Sequence, residues 1–199
     1  MKHFFFSLIL SLGSLSFAIN TAHADTWNVD SSHSEVGFEV DHMMISTVKG
    51  NFGEFSGSVT TGKKGKFDSL QGEVSIASVD TNSEKRDSHL QAADFFDASS
   101  FPKMTFVSKK IKGDHSKGYT VTGDLTIRDV TKSVTLEMTP VKGPIKDGWG
   151  NTRVASVATT TINRQDFGVS WSSTLDSGGM VVGDDVRITI ALEFVQAKE

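Results

Sequence analysis

The eight residues Glu35–His42, EVGFEVDH, alternate without a slip. Val36, Phe38 and Val40 fall on one side, and Glu35, Glu39 and Asp41 fall on the other. A repeat of two is the side-chain period of a β-strand, and a helix through the same residues would spread the acids around its girth. Such a strand has one face that must leave water and one that must stay in it. After a turn around Met43–Ser46, a second run carries Phe52, Phe55 and Val59 among Gly50, Gly53 and Gly57. Together they read as an antiparallel pair with one wet and one oily side.

The rest of the chain repeats this pattern. Trp27 and Val29 open it, and strands are expected at about 35–42 and 47–61. Leu70, Gly72, Val74 and Ile76 alternate with Gln71, Glu73 and Ser75. Further strands cover Met104–Ile111, Tyr119–Arg128 and the alternating Val134, Leu136 and Met138. The link Asp129–Lys132 is short enough for a hairpin. Gly143–Asn151 reads as a Gly/Pro-rich loop and Asn163–Gly183 as a long irregular one. Arg153–Ile162 is small and β-branched on both faces, so its inward side stays open. Val186, Ile188, Ile190, Leu192 and Phe194 close the pattern. The exception is residues 83–97, which lack a period-two face; Asn82 or Ser83 can cap a short helix there, and Pro102 stops it. Eight strands, a short opener and one helical insertion make an antiparallel all-β domain. Alternation fits a sandwich and a closed barrel equally; closure removes exposed edges and can leave room for one small ligand.

The N-terminus has another character. Lys2 precedes an apolar run from Phe4 to Ile19 that ends in Ala22-His23-Ala24, the pattern of a cleavable export signal. Cleavage is expected after Ala24, leaving residues 25–199 as a single domain and placing it in the periplasm. With no cysteine, neither a disulfide nor a lipoprotein anchor is expected. Losing Lys2 from 20 basic residues leaves 19 against 24 acidic ones, a net charge near −5. That balance disfavours nucleic acid and a polybasic membrane patch.

Five strings carry a resemblance. HSEVGFEVDHMM, VKGNFGEFSGSV, SEKRDSHLQAADFFD (83–97), FPKMTF (101–106) and INRQDFG (162–168) resemble the YceI-like family of secreted lipid-binding proteins. They keep the family order over essentially the whole mature chain. The resemblance implies an eight-stranded lipocalin-like barrel that holds a polyisoprenoid chain inside, with a quinone or polyprenyl lipid as the expected ligand. Alternation combined with that analogy places Phe38, Val40, Phe52, Phe55, Val74, Ile76, Phe106, Leu125, Leu136 and Ile188 along the tail, and Phe95 and Phe96 at one end. Arg86 and Asp87 have two readings, a headgroup contact near the barrel mouth or a salt-bridge and capping role for the helix. The motif Asn163–Gly168 reads as turn chemistry first and as a ligand contact second.

Whether the oily face is a core or a container is left open by the residues. Gly72 and Gly123 fall on the apolar face, where missing side chains leave space, and Gly50 and Gly57 punctuate the adjoining strand. The same glycines would let a curved sheet bend. For chemistry, His33 and His42 have Asp30 and Asp41 nearby, with Ser32 or Ser34 as conceivable nucleophiles. There is no G-x-S-x-G and no H-E-x-x-H. The expectation is a binding protein, not an enzyme, with no catalytic residue, no metal and no required cofactor. Expected partners are the lipid itself, a membrane met transiently and a second copy of the chain. Two alternatives remain: a filled-core barrel that docks on a membrane redox protein, and an envelope lipid-modifying enzyme using His33 or His42.

Overall fold

The computed structural model describes residues 24–62, 65–176 and 178–198. The export-signal reading of residues 1–24 therefore lies, but for its last residue, outside the described residues, as do Lys63 and Lys64 of the loop after residue 61. The strands are β1 (Thr26–Val29), β2 (Glu35–His42), β3 (Ser46–Phe52), β4 (Phe55–Thr61), β5 (Phe67–Ser75), β6 (Val79–Asp80), β7 (Lys103–Asp114), β8 (Gly118–Ile127), β9 (Val130–Met138), β10 (Lys142–Lys146), β11 (Thr152–Asn163) and β12 (Val182–Gln196). The helix α1 spans Glu84–Gln91.

All strand pairs are antiparallel, and β12 closes the sheet by pairing along β11 from Val195↔Arg153 to Asp185↔Asn163. The closed barrel has eight strand positions, because two of them are broken into segments. β1 and β2 share one position beside β12, interrupted by a 3-10 turn at Ser31–His33 that the Asp30 side chain caps. β3 and β4 share the next, pairing with β2 and with β5 respectively. The run expected at 47–61 thus bends at Gly53–Glu54 but keeps its place. β10 is a correction: where a loop was expected, Lys142–Lys146 pairs with β11 as an edge strand. Its five residues are all exposed, so no apolar alternation announces it.

The expected hairpin after β8 is a two-residue turn, Arg128-Asp129, with both residues at positive φ as a type I′ turn demands. At Asn51 and Phe52, β3 pairs on its outer side with the two-residue β6. The segment from Ile76 to Pro102, which includes α1, follows β5 and covers this side of the barrel.

The interior divides along its length. At the end holding the start of β1 and the end of β12, Trp27, Val59, Phe67, Tyr119, Val121, Met138 and Phe194 form a buried cluster. Phe67 stacks on Tyr119 with centroids 4.7 Å apart, and Phe194 meets Phe67 edge-on at 6.1 Å. Burying each such ring is worth roughly 1.5–3 kcal/mol, so this end is a packed floor. Toward the other end a second buried cluster, Phe95, Ile127, Ile162, Phe167 and Val169, packs beside the insertion, and residues of both clusters line a cavity.

Candidate functional site: an apolar cavity above an aromatic floor

The cavity has a volume of about 220 Å³, far beyond the roughly 10–15 Å³ that one water needs. Leu70, Leu136 and Phe194 line it at the floor, while Leu90, Phe95 and Phe96 of the insertion line it at the other end. Phe38, Val40, Phe52, Phe55, Val74, Phe106, Leu125 and Ile188 also line it. The filled-core alternative requires a solid interior, and this barrel does not have one.

Ile76 does not line the cavity. β5 ends at Ser75, and Ile76 begins a 3-10 turn, Ile76–Ser78, that breaks the alternation. Its side chain packs with Phe52 and Val79 in a separate buried cluster. Arg86 and Asp87 also lie off the cavity wall and knot the start of α1 to Thr81. The Asp87 carboxylate accepts from the Thr81 backbone N–H at 2.9 Å and from its hydroxyl. Arg86 donates Nε to the Thr81 hydroxyl and Nη2 to its carbonyl, both at 2.7 Å. Ser83 occupies the N-cap position without a side-chain cap bond, so this knot holds the helix. An isolated helix of eight residues would not persist on its own.

The glycines separate into two kinds. A Cβ on Gly72 would have one neighbour within 4 Å, the Ser56 carbonyl oxygen at 3.3 Å, so its inward side opens on the cavity. A Cβ on Gly123 would strike the Phe106 ring at 2.6 Å and the Val107 carbonyl at 2.5 Å. At Gly50 the Phe38 ring already occupies the space. The room expected at Gly123 and Gly50 is thus filled by aromatic rings, which glycine allows to lie flat on the sheet. Room comes instead from β11, whose inward side could not be read from sequence. Its buried alternate residues Val154, Ser156, Ala158 and Ile162 set the inward face, and Ala158 and Thr160 line the cavity with small side chains.

The walls at the insertion end are pinned by two arginines. Arg164, 5% exposed, also borders the cavity, yet all five of its N–H groups have acceptors. Nε donates to Gly183 O, Nη1 to Val169 O and Trp171 O, and Nη2 to Val182 O and the Asp184 carboxylate. Burial pushes its pKa down, opposed by Asp184. The motif beginning at Asn163 is therefore turn chemistry that clamps residues 169–184, with the Asn163 side chain capping the 3-10 turn and Gly168 at φ 73° ending it. Arg128 donates to Phe95 O and to Gly168 O, joining the insertion to that turn. Phe95 stacks on Trp171 at 5.2 Å, and His89 meets both rings edge-on.

His33 lies in the 3-10 turn before β2 and His42 at the far end of β2, and neither lines the cavity. His33 Nδ1 is 3.1 Å from Asp30 Oδ2 and from the Ser32 hydroxyl, while that hydroxyl donates to Asp30 Oδ1 at 2.5 Å. Asp30, His33 and Glu193 bring ligand atoms within 4.8 Å of one another. Arg153, however, already donates at 2.6 Å to both Asp30 and Glu193, and at 2.7 Å to Asp147. A cation would have to displace that guanidinium. Ser32, Arg153 and His33 hold the Asp30 carboxyl well below the usual range, and Arg153 does the same for Asp147.

A closed antiparallel β-barrel is the architecture that the comparisons share. The model of the YceI-like domain matches residues 27–194, nearly the whole described chain. The chain belongs to the YceI-like family. A UPF0312 protein of Staphylococcus aureus is 36% identical over 168 residues, covering 83% of this chain and 94% of the relative. Among solved structures, Burkholderia cenocepacia BcnA superposes with a TM-score of 0.71 at 28% identity, covering 83% of this YceI-like chain and 98% of BcnA. A polyisoprenoid binding domain from Saccharophagus degradans superposes with a TM-score of 0.59 at 14% identity, over 86% of this chain and 98% of its own, a likeness of fold.

Proposed function

We propose that this chain is an exported protein that holds a long-tailed isoprenoid lipid, of quinone or polyprenyl type, as a carrier or store in the periplasm. The observation that carries the reading is an apolar cavity whose bordering cation Arg164, the one buried cation among the described residues, has every donor engaged. Such a wall offers carbon to carbon and asks for few polar groups from its guest. The basic start, short apolar run and Ala22-His23-Ala24 support export. The polyisoprenoid binding domain of like fold supports the ligand class.

Energetics set the manner of holding. Moving one CH₂ from water into such a site is worth about 0.8 kcal/mol, so a tail of tens of carbons would pass the ceiling of about 18–21 kcal/mol seen for non-covalent binding. The tail's alternative home is a bilayer. Between bilayer and barrel the apolar transfer nearly cancels, leaving shape fit against the ordering of the tail. Exchange with membranes follows, at a modest preference.

Native mass spectrometry and organic extraction of the purified protein test this. A co-purifying isoprenoid is expected, and lipid-free protein should take one up from quinone-loaded vesicles. A clean unliganded mass together with no uptake would sink the reading.

A further inference from the structure

A barrel that exchanges a bilayer-resident guest needs a place to meet the bilayer. The β2–β3 tip is built oddly for a hairpin. Its turn residues Met43 and Met44 stand at φ 53° and 62°, and Ile45 N–H donates to His42 O at 3.2 Å. A turn with two left-handed central residues favours Asn-Gly, and a bulky side chain there is a steric outlier. Strain of this kind persists where the surroundings impose it, and it concentrates at working sites. Nothing is gained by burial, because Met44 is 75% exposed and Ile45 86%.

The tip does not stand alone. Met43 N–H donates to Val181 O at 2.8 Å, and Met44 Sδ lies 2.6 Å from where a Cβ on Gly179 would sit. Met180, also part-exposed, comes from this second segment, so four apolar side chains form one raised patch. The patch is continuous with the cavity wall, because His42 pairs with Val182, and Val182 and Val40 both line the cavity. It also lies at the end away from the packed aromatic floor. Just below it the charges are paired across strands, Arg187 with Asp41 at 3.1 Å and Lys49 with Glu39 at 2.7 Å. A raised, uncharged tip of unbranched and branched aliphatic side chains has the form of an insertion device. Protein interfaces are instead anchored by aromatic and arginine side chains seated in pockets.

We propose that Met43, Met44 and Ile45, with Met180, insert into a lipid bilayer and set the barrel mouth against it for loading and unloading. This rests on the isoprenoid-binding reading above. The test uses the mature protein with phosphatidylcholine vesicles carrying a fluorescent polyprenol, and farnesol in solution as a probe that bypasses the membrane. Two variants are compared with the parent, M44S/I45S and M43N/M44G, the second chosen to relieve the turn and keep the fold. Vesicle co-sedimentation and polyprenol transfer are each expected to fall at least about tenfold in both variants, as apolar side chains no longer leave water. Farnesol affinity should stay within about twofold of the parent, since no altered residue lines the cavity. Parent-like sedimentation and transfer in the variants would overturn the proposal, as would a parent that never sediments with vesicles. A parent dimer that dissociates in the variants, without vesicle binding, would assign the patch to a second copy instead and also overturn it. Loss of farnesol binding by the parent would instead strike the isoprenoid reading.

Discussion

Replacing Gly72 by leucine distinguishes a hollow barrel from a packed one by the sign of its effect. In the lipid-free protein a Cβ at Gly72 meets the Ser56 carbonyl at 3.3 Å and nothing else, and the rest of the side chain projects into the cavity. Burying a leucine side chain is worth about 1.5–3 kcal/mol. Replacing glycine by a residue that fits the strand conformation adds about 0.4–1 kcal/mol through the unfolded chain. Against this stand about 0.5–1 kcal/mol of side-chain entropy and the slight yielding of β4 at Ser56. The net is a gain of about 1–2 kcal/mol, or a melting point raised by about 3–6 °C for a domain of this size. Lipid uptake should fall in the same variant, because the leucine takes space from the guest. The partner experiment is Gly123→Leu, where the Phe106 ring and the Val107 carbonyl leave no room; it should cost at least about 2–3 kcal/mol, as overpacking does. Urea titration of delipidated protein gives both numbers, with an unchanged slope confirming two-state behaviour. If Gly72→Leu loses about 1 kcal/mol or more, the interior has no room beside β5 and the reasoning fails.

Other consequences are open to similar checks. Arg153→Met leaves Asp30, Asp147 and Glu193 facing one another without their shared cation, and should lower the chemical-denaturation midpoint at neutral pH. Because Asp30 and Asp147 titrate below their unfolded values, their contribution is full above the ordinary carboxylate value and is lost as pH falls from there through their lowered folded values; Arg153→Met should flatten that acid dependence. Arg164→Lys keeps the charge but loses the fork, so residues 169–184 should exchange amide hydrogens faster, while the global stability falls by about 2–4 kcal/mol. His115 lies against Phe67 and Tyr119, and burial pushes its pKa below the ordinary imidazole value, with Asp114 opposing and Lys66 assisting. The unfolded chain then binds the extra proton first, so stability should decline as pH drops below about 6.5 and hold steady above it. His115→Phe should remove that slope from the denaturation midpoint.

Alternation alone located most of the barrel, because each strand has one face in water and one out of it, and residues such as Phe38, Val40, Leu125 and Ile188 obey that rule locally. It failed where the deciding contact was remote or the rule had nothing to act on. Ile76 continues the phase of Leu70, Gly72 and Val74, but the chain turns after Ser75 and carries it into another cluster. Gly72 and Gly123 are indistinguishable in phase; the Phe106 ring and the Val107 carbonyl of another strand crowd Gly123 and leave Gly72 open. β10 has no buried face, and β11 is small on both sides, so neither had a hydrophobic contrast to read. The arginine clamps at Arg128 and Arg164 bond mainly to backbone carbonyls, which every sequence has and which therefore leave no mark.

The floor of Trp27, Phe67, Tyr119 and Phe194 makes the interior a cul-de-sac. A guest held above it cannot leave through that end. A lipid of the kind proposed above, with one greasy end and one water-loving end, would then enter greasy end first, and whatever chemistry its other end carries would stay away from the floor, within reach of the next protein or membrane that the barrel meets.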